Sequence, residues 1–169
     1  SPLGIAINAV VFLIITVVFD VPSGVLADKW KRKYTLILAM IALGLSSFIL
    51  GTSNAFVVYL FGTAFYGVYM VLTSGTFQAM MYDSLAETGE QDHYDKHQGR
   101  SYGLFLAGVG LSSLAGGYIA EYIGLRETYL LSLVPVAINL LLLLTTTEPK
   151  FHKEEFDSKF WAHIKSSAK

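Results

Sequence analysis

Gly24-Val-Leu-Ala-Asp-Lys-Trp-Lys-Arg-Lys33 sets five charged side chains within residues 28–33, wedged between two long apolar runs. Leu3–Phe19, before it, carries no charge. Tyr34–Met81, after it, carries none either and is interrupted only by the polar patch Gly51-Thr-Ser-Asn54. Tyr102–Ala120 and Tyr129–Thr147 are likewise uncharged. A run of roughly 20 apolar residues crosses about 30 Å of hydrocarbon as a helix. A helix on a soluble protein keeps one polar face, and these runs are apolar all round. Lipid admits only helices and closed barrels as spanning structures. No two-residue alternation is present, which excludes the barrel. The chain therefore reads as an all-α polytopic membrane protein. Its five predicted spans are Leu3–Leu26, Tyr34–Leu50, Ala55–Met81, Tyr102–Ile123 and Tyr129–Thr147.

The connections alternate in chemistry. Lys29, Lys31, Arg32 and Lys33 separate spans one and two, Lys96 and Arg100 separate three and four, and Lys150, Lys153, Lys159, Lys165 and Lys169 follow span five. The other side has only Arg126, so eleven of the 12 cations share one face. The positive-inside rule puts that face in the cytoplasm. Span one then runs inward, the C-terminus is cytoplasmic, and a multi-pass place in the plasma membrane is expected. Residues 1–147 form the helix bundle and 148–169 a cytoplasmic linker. In the linker, Phe156, Phe160 and Ile164 recur at helical spacing beside Trp161, as in a helix lying on the membrane surface. The chain opens with Ser1 and passes almost directly into an apolar helix, so it reads as an internal fragment that lacks at least one helix.

With no Cys, the chain has neither a disulfide framework nor a thiolate metal site. His93 and His97 are four apart but have no evident third ligand, so a solvated loop over Asp83–Arg100 is expected rather than a metal site. No phosphate-binding GxxxxGK[ST] motif occurs. No cofactor and no nucleic-acid partner are expected.

A shift of 93 residues lays Gly24-Val-Leu-Ala-Asp28 over Gly117-Tyr-Ile-Ala-Glu121, and Lys33 over Arg126. Each copy closes one span and precedes the next, on opposite sides of the membrane by the topology above. Inverted-topology repeats mark secondary transporters. The unit is three helices: spans three to five make one, and spans one and two make another without its first helix.

Gly24-x-Leu26-Ala27-Asp28-Lys29-x-x-Arg32-Lys33 resembles the signature loop between helices two and three of the major facilitator superfamily, with Lys31 where that family usually has Gly. Phe19-Asp-Val-Pro-Ser-Gly24 and Ser74-Gly-Thr-Phe-Gln-Ala-Met-Met-Tyr-Asp-Ser-Leu85 resemble a bacterial, drug-efflux-like branch. The resemblance covers the chain as helices two to six. It implies that the residue matching Asp28 meets a helix N-terminus of the other half. It also implies that Arg32 meets an acid at the inner end of helix four, for which Asp83 is the candidate. Gly24, Asp28, Arg32, Lys33 and Asp83 would then form part of a gate holding the cytoplasmic side shut. An acid at the end of a helix also wants such a partner, since the dipole there disfavours an anion.

Apart from Glu121 at the very end of span four, Asp20 is the one acid within the spans, and intramembrane charges are costly and usually functional. It has two readings: a titrating group in proton coupling, or a fixed hydrogen bonder near the inner interface. Tyr66, Met70, Ser74 and Gln78 crowd span three, and with Asn8 and Asp20 they are the candidate substrate and proton path. Gln78 stands where related permeases often carry an acid. Gly103, Gly108, Gly110, Ser112, Ser113, Gly116 and Gly117 give span four a small-residue stripe suited to close helix approach. Ser112 and Ser113 replace the central Gly-Pro of the pattern found in proton-driven exporters. Pro135 predicts a kink in span five. The expected function is proton-coupled secondary transport of a small solute by alternating access, with efflux of amphipathic compounds preferred. An uptake permease and a non-transporting receptor or scaffold are the alternatives. No intramembrane acid pair or activated Ser points to an enzyme.

Overall fold

The computed structural model describes residues 2–29 and 31–149, with side chains for 2–20 and 31–149. The helices are α1 (Pro2–Lys29), α2 (Arg32–Thr52), α3 (Phe56–Thr73), α4 (Thr76–Thr88), α5 (Tyr94–Tyr122), α6 (Leu125–Leu131) and α7 (Leu133–Thr145), with a 3-10 turn at Gln91–His93 before α5. The described residues contain no strand. Five of the resulting segments are long and apolar enough to cross a membrane. In lipid a helix is favoured because it satisfies every backbone N–H and C=O within one segment.

Two spans depart from the sequence-based expectation, and a third breaks as expected. The third span reaches Thr88 rather than Met81 and is interrupted between α3 and α4, where Gly75 has φ 76°. Only glycine takes that conformation cheaply. The fourth span begins at Tyr94, not Tyr102, so most of the expected loop over Asp83–Arg100 is helical. Gly89 closes α4 in the left-handed conformation, and the N–H of Glu90 returns to the carbonyl of Leu85 at 2.8 Å. This cap turns the chain within a few polar residues. The fifth span breaks at Ser132, the kink expected from Pro135. Proline has no N–H for the carbonyl of Leu131, and its ring crowds that carbonyl.

α2 lies at the centre, against α1, α3, α4, α6 and α7. The buried apolar side chains, Leu36, Ala39, Met40, Ala42, Val71, Leu72 and Met80, all belong to α2, α3 and α4. Glycine permits the closest approaches. A Cβ at Gly62 would fall 2.8 Å from Leu50, one at Gly67 2.8 Å from Ile15, and one at Gly51 2.8 Å from Leu130. The small-residue stripe of α5 does not play this part. Nothing of the described chain lies within 4 Å of a Cβ built at Gly103, Gly108, Gly110 or Gly117. Among the described residues, α5 meets α6 and α4, with Thr128 of α6 3.7 Å from a Cβ built at Gly116, and it buries no residue.

The bundle has two distinct ends. The start of α2, the end of α4 and the end of α7 meet at one, where Arg32, Asp83 and Glu148 converge. The end of α2 and the start of α6 meet at the other, where Gly51 lies beside Leu130 and the carbonyl of Arg126. Gly24–Asp28 closes α1 at the first end, and Gly117–Glu121 closes α5 at the second.

Candidate functional site

The first helical N–H groups of α2 have no partner within the helix. Lys31, at the N-cap, is extended (φ −65°, ψ 133°) and offers no side-chain cap. Glu148, just beyond α7, supplies one from 116 residues away. Its Oε1 accepts the N–H of Arg32 at 2.7 Å and its Oε2 accepts the N–H of Lys33 at 2.8 Å. A carboxylate is favoured there by the helix dipole as well as by the two hydrogen bonds. Lys33 reciprocates. Its Nζ donates to the carbonyls of Leu144 at 2.9 Å and Thr146 at 2.7 Å, the unpaired end of α7. A cation suits that pole. α2 and α7 thus cap each other.

Arg32 also reaches α4. Its Nη1 lies 2.6 Å from Oδ2 of Asp83, and the two side chains are only 9% and 8% exposed. Thr76, Met80 and Asp83 form one buried face of α4, set against α2. Thr35, one turn beyond Arg32, is fully buried in the same region. A buried ion pair is not strongly stabilising in itself, but removing either partner leaves an uncompensated charge. Lys31 is separate from it and lies 5.9 Å from the ring centre of Tyr34. The side chains of Gly24 and Asp28, the first two positions of the motif, lie outside the described ones.

Away from this end, a groove runs between α1 and α3. Phe12, Thr16 and Asp20 recur every four residues on α1, and Tyr66, Met70 and Ser74 do so on α3. Phe12 stacks on Tyr66 at a ring separation of 5.9 Å. Phe12, Thr16, Val17, Asp20, Met70, Val71 and Ser74 line a cavity of ≈ 390 Å³. Apolar walls with a few convergent polar groups are the usual make-up of a small-molecule site. Ser74, at the end nearer the Arg32–Asp83 pair, sits on the break between α3 and α4.

The six residues expected on a transport path separate accordingly. Asp20, Met70 and Ser74 line the groove, and Tyr66 backs its wall through Phe12. Asn8 does not line it, because its Oδ1 accepts the hydroxyl of Thr63 at 2.6 Å, a bond between α1 and α3. Gln78 is exposed on α4, past the break, and is not among the lining residues. Sequence reading missed Glu148, Phe12 and Thr16. Glu148 is the first charge after the uncharged Tyr129–Thr147, on the same side as Lys33. Phe12 and Thr16 precede Asp20 at spacings of eight and four.

A family model described as Major Facilitator Superfamily matches residues 1–168. No curated protein and no solved structure matches the chain.

Proposed function

The chain belongs to the major facilitator superfamily, a family of multi-pass secondary transporters of small solutes, and from that premise we propose how it works. It moves amphipathic compounds outward by alternating access, in the plasma membrane, with its cation-rich connections in the cytoplasm. A proton gradient drives the cycle, with Asp20 on the proton path. Gly24, Asp28, Arg32, Lys33 and Asp83 belong to the cytoplasmic gate, and Glu148 joins them. Solute passes along the groove faced by Phe12 and Met70 and backed by Tyr66.

The buried Arg32–Asp83 contact carries this reading. A fixed structural anchor has no need of a charge pair out of water, since apolar side chains of similar volume hold helices at least as well. A pair that must open and reclose does need one, because it stores its energy in a single contact. It also ties α4, whose preceding break carries groove-lining Ser74, to the first turn of α2.

The test is flux in proteoliposomes over a panel of amphipathic cationic dyes. Asp83→Asn and Arg32→Ala are each expected to slow flux by roughly tenfold or more, the kinetic equivalent of about 1.4 kcal/mol. The exchanged pair Arg32→Asp with Asp83→Arg should recover part of it. Wild-type flux in both single variants would overturn the gating role. Absence of gradient-driven flux across the whole panel would overturn efflux.

A further inference from the structure

We propose that Lys31 and Tyr34, at the head of α2, bind the headgroup of one anionic phospholipid, whose acyl chain lies along the outer face of that helix. The site is separate from the α1–α3 groove and stands whether or not the chain moves a solute.

The three consecutive cations at the start of α2 have different surroundings. Arg32 is buried against Asp83, and the ammonium of Lys33 donates to the carbonyls of Leu144 and Thr146. Lys31 is exposed, and among the described residues it forms no salt bridge. The carboxylates of this junction serve other groups, Asp83 the guanidinium of Arg32 and Glu148 the N–H groups of Arg32 and Lys33. The Nζ of Lys31 stands 5.9 Å from the centre of the Tyr34 ring, which is itself exposed. A ring face attracts an ammonium without neutralising it. Lys31 is thus a held cation that still lacks a counter-charge.

The surface below it fits a lipid tail. Tyr34, Leu38, Ile41, Leu45 and Phe48 recur at intervals of four and three, which places them on one face of α2. All five are exposed, whereas Leu36, Ala39, Met40 and Ala42 are buried on the side turned to the bundle. Arg32–Thr52 is a membrane span, so the exposed stripe meets acyl chains and Lys31, one residue before it, is level with the headgroups. From Tyr34 to Leu45 is about 16 Å by helical rise, the depth of one leaflet of a roughly 30 Å core. Tyrosine belongs at that boundary, with its ring in the apolar layer and its hydroxyl in the polar one.

The chemistry selects the occupant. The ammonium offers three N–H donors to a phosphate, and the Tyr34 hydroxyl offers a further one to a second headgroup oxygen. A zwitterionic lipid carries its own cation beside the phosphate, which competes with Lys31, whereas an anionic lipid brings the missing charge. A soluble anion would use the ammonium and leave the apolar stripe idle. The position also gives the lipid an effect. Lys31 is the extended N-cap of α2. A phosphate that holds its side chain steadies the first turn of α2, where Arg32 meets Asp83 and Glu148.

The experiment is thermal unfolding of the purified protein in neutral detergent, at fixed pH and ionic strength, with phosphatidylglycerol titrated in and phosphatidylcholine as the control. A saturable rise in Tm is expected with the first lipid and not with the second. Lys31→Gln should weaken apparent affinity for phosphatidylglycerol roughly fivefold, the effect of one cation near an anionic headgroup. Lys31→Arg should keep it, and Tyr34→Leu should weaken it less than Lys31→Gln does. Lys96→Gln, which removes an exposed cation from the first turn of α5 at the same end, should leave it unchanged. Equal rises with both lipids would overturn the inference, as would a phosphatidylglycerol response unaltered in Lys31→Gln. Equal weakening in Lys31→Gln and Lys96→Gln would also overturn it, since the attraction would then belong to the whole charged surface. A matching rise with inorganic phosphate alone would overturn it too and assign Lys31 to a soluble anion.

Discussion

Arg32 works at both its ends. Its guanidinium pairs with Asp83, while its N–H is capped by Glu148. The two contacts have different consequences. Asp83→Asn gives Arg32 an uncharged partner in place of a carboxylate, and Asp83→Ala removes that partner outright, so the Ala variant should lose about 3–5 kcal/mol and the Asn variant less. Chemical denaturation of the detergent-solubilised protein would order the two, and equal losses would argue against a buried pair. Glu148→Ala removes a helix cap rather than a charge partner, and a loss of about 1–2 kcal/mol is expected. In a double-mutant cycle with Lys33→Ala the two losses should not add, because both substitutions release the same α2–α7 junction. The Arg32–Asp83 pairing was legible in the sequence through a family resemblance. The Glu148 cap was not, because nothing local links a residue after span five to the N–H groups of residues 32 and 33.

At the scale of the element, the informative feature is the interruption at Gly75. Hydropathy cannot report it, since a broken helix and a straight one are equally apolar over Phe56–Thr88. The positive φ of 76° makes Gly75→Ala a direct probe. An L-residue in the left-handed region costs roughly 1–2 kcal/mol. No atom of a neighbour lies within 4 Å of the added Cβ, so the cost is conformational rather than steric. The variant should fold, straighten toward continuous helix and lose flux. Wild-type flux with unchanged stability would mean the break is passive. Gly67→Leu tests packing instead. A Cβ there meets Ile15 at 2.8 Å, so the larger side chain should force α1 away from α3 and lower Tm. Pro135 shows the contrasting case, a break that the sequence does announce because proline lacks the N–H it would need.

Across the whole molecule, the alternation of spans places Asn54 at one end and Glu90 at the other. The chain contains no Cys, so single cysteines can report sidedness directly. In intact cells Asn54→Cys should react with a membrane-impermeant maleimide, and Glu90→Cys only after permeabilisation. The opposite pattern would invert the proposed orientation. The same alternation puts Gly24–Asp28 and Gly117–Glu121 at opposite ends, each closing a helix that leads directly into the next. The first copy closes the helix that leads into α2, whose first turn meets Asp83 and Glu148.

The sequence by itself determined the number of spans, their helical nature and the family. These follow from the free energy of moving side chains into lipid, which depends on composition along one segment. It also marked Arg32, Asp83 and Asp20, because a charge next to or within an apolar run stands out without reference to anything distant. Tertiary structure alone decided that Glu148 caps α2, that Asp20 faces Ser74 across a groove while Asn8 and Gln78 do not, and that span three is two helices. Those outcomes depend on the rotation and crossing of helices far apart in sequence, which small residues such as Gly62 and Gly67 set by contacts that no single segment encodes.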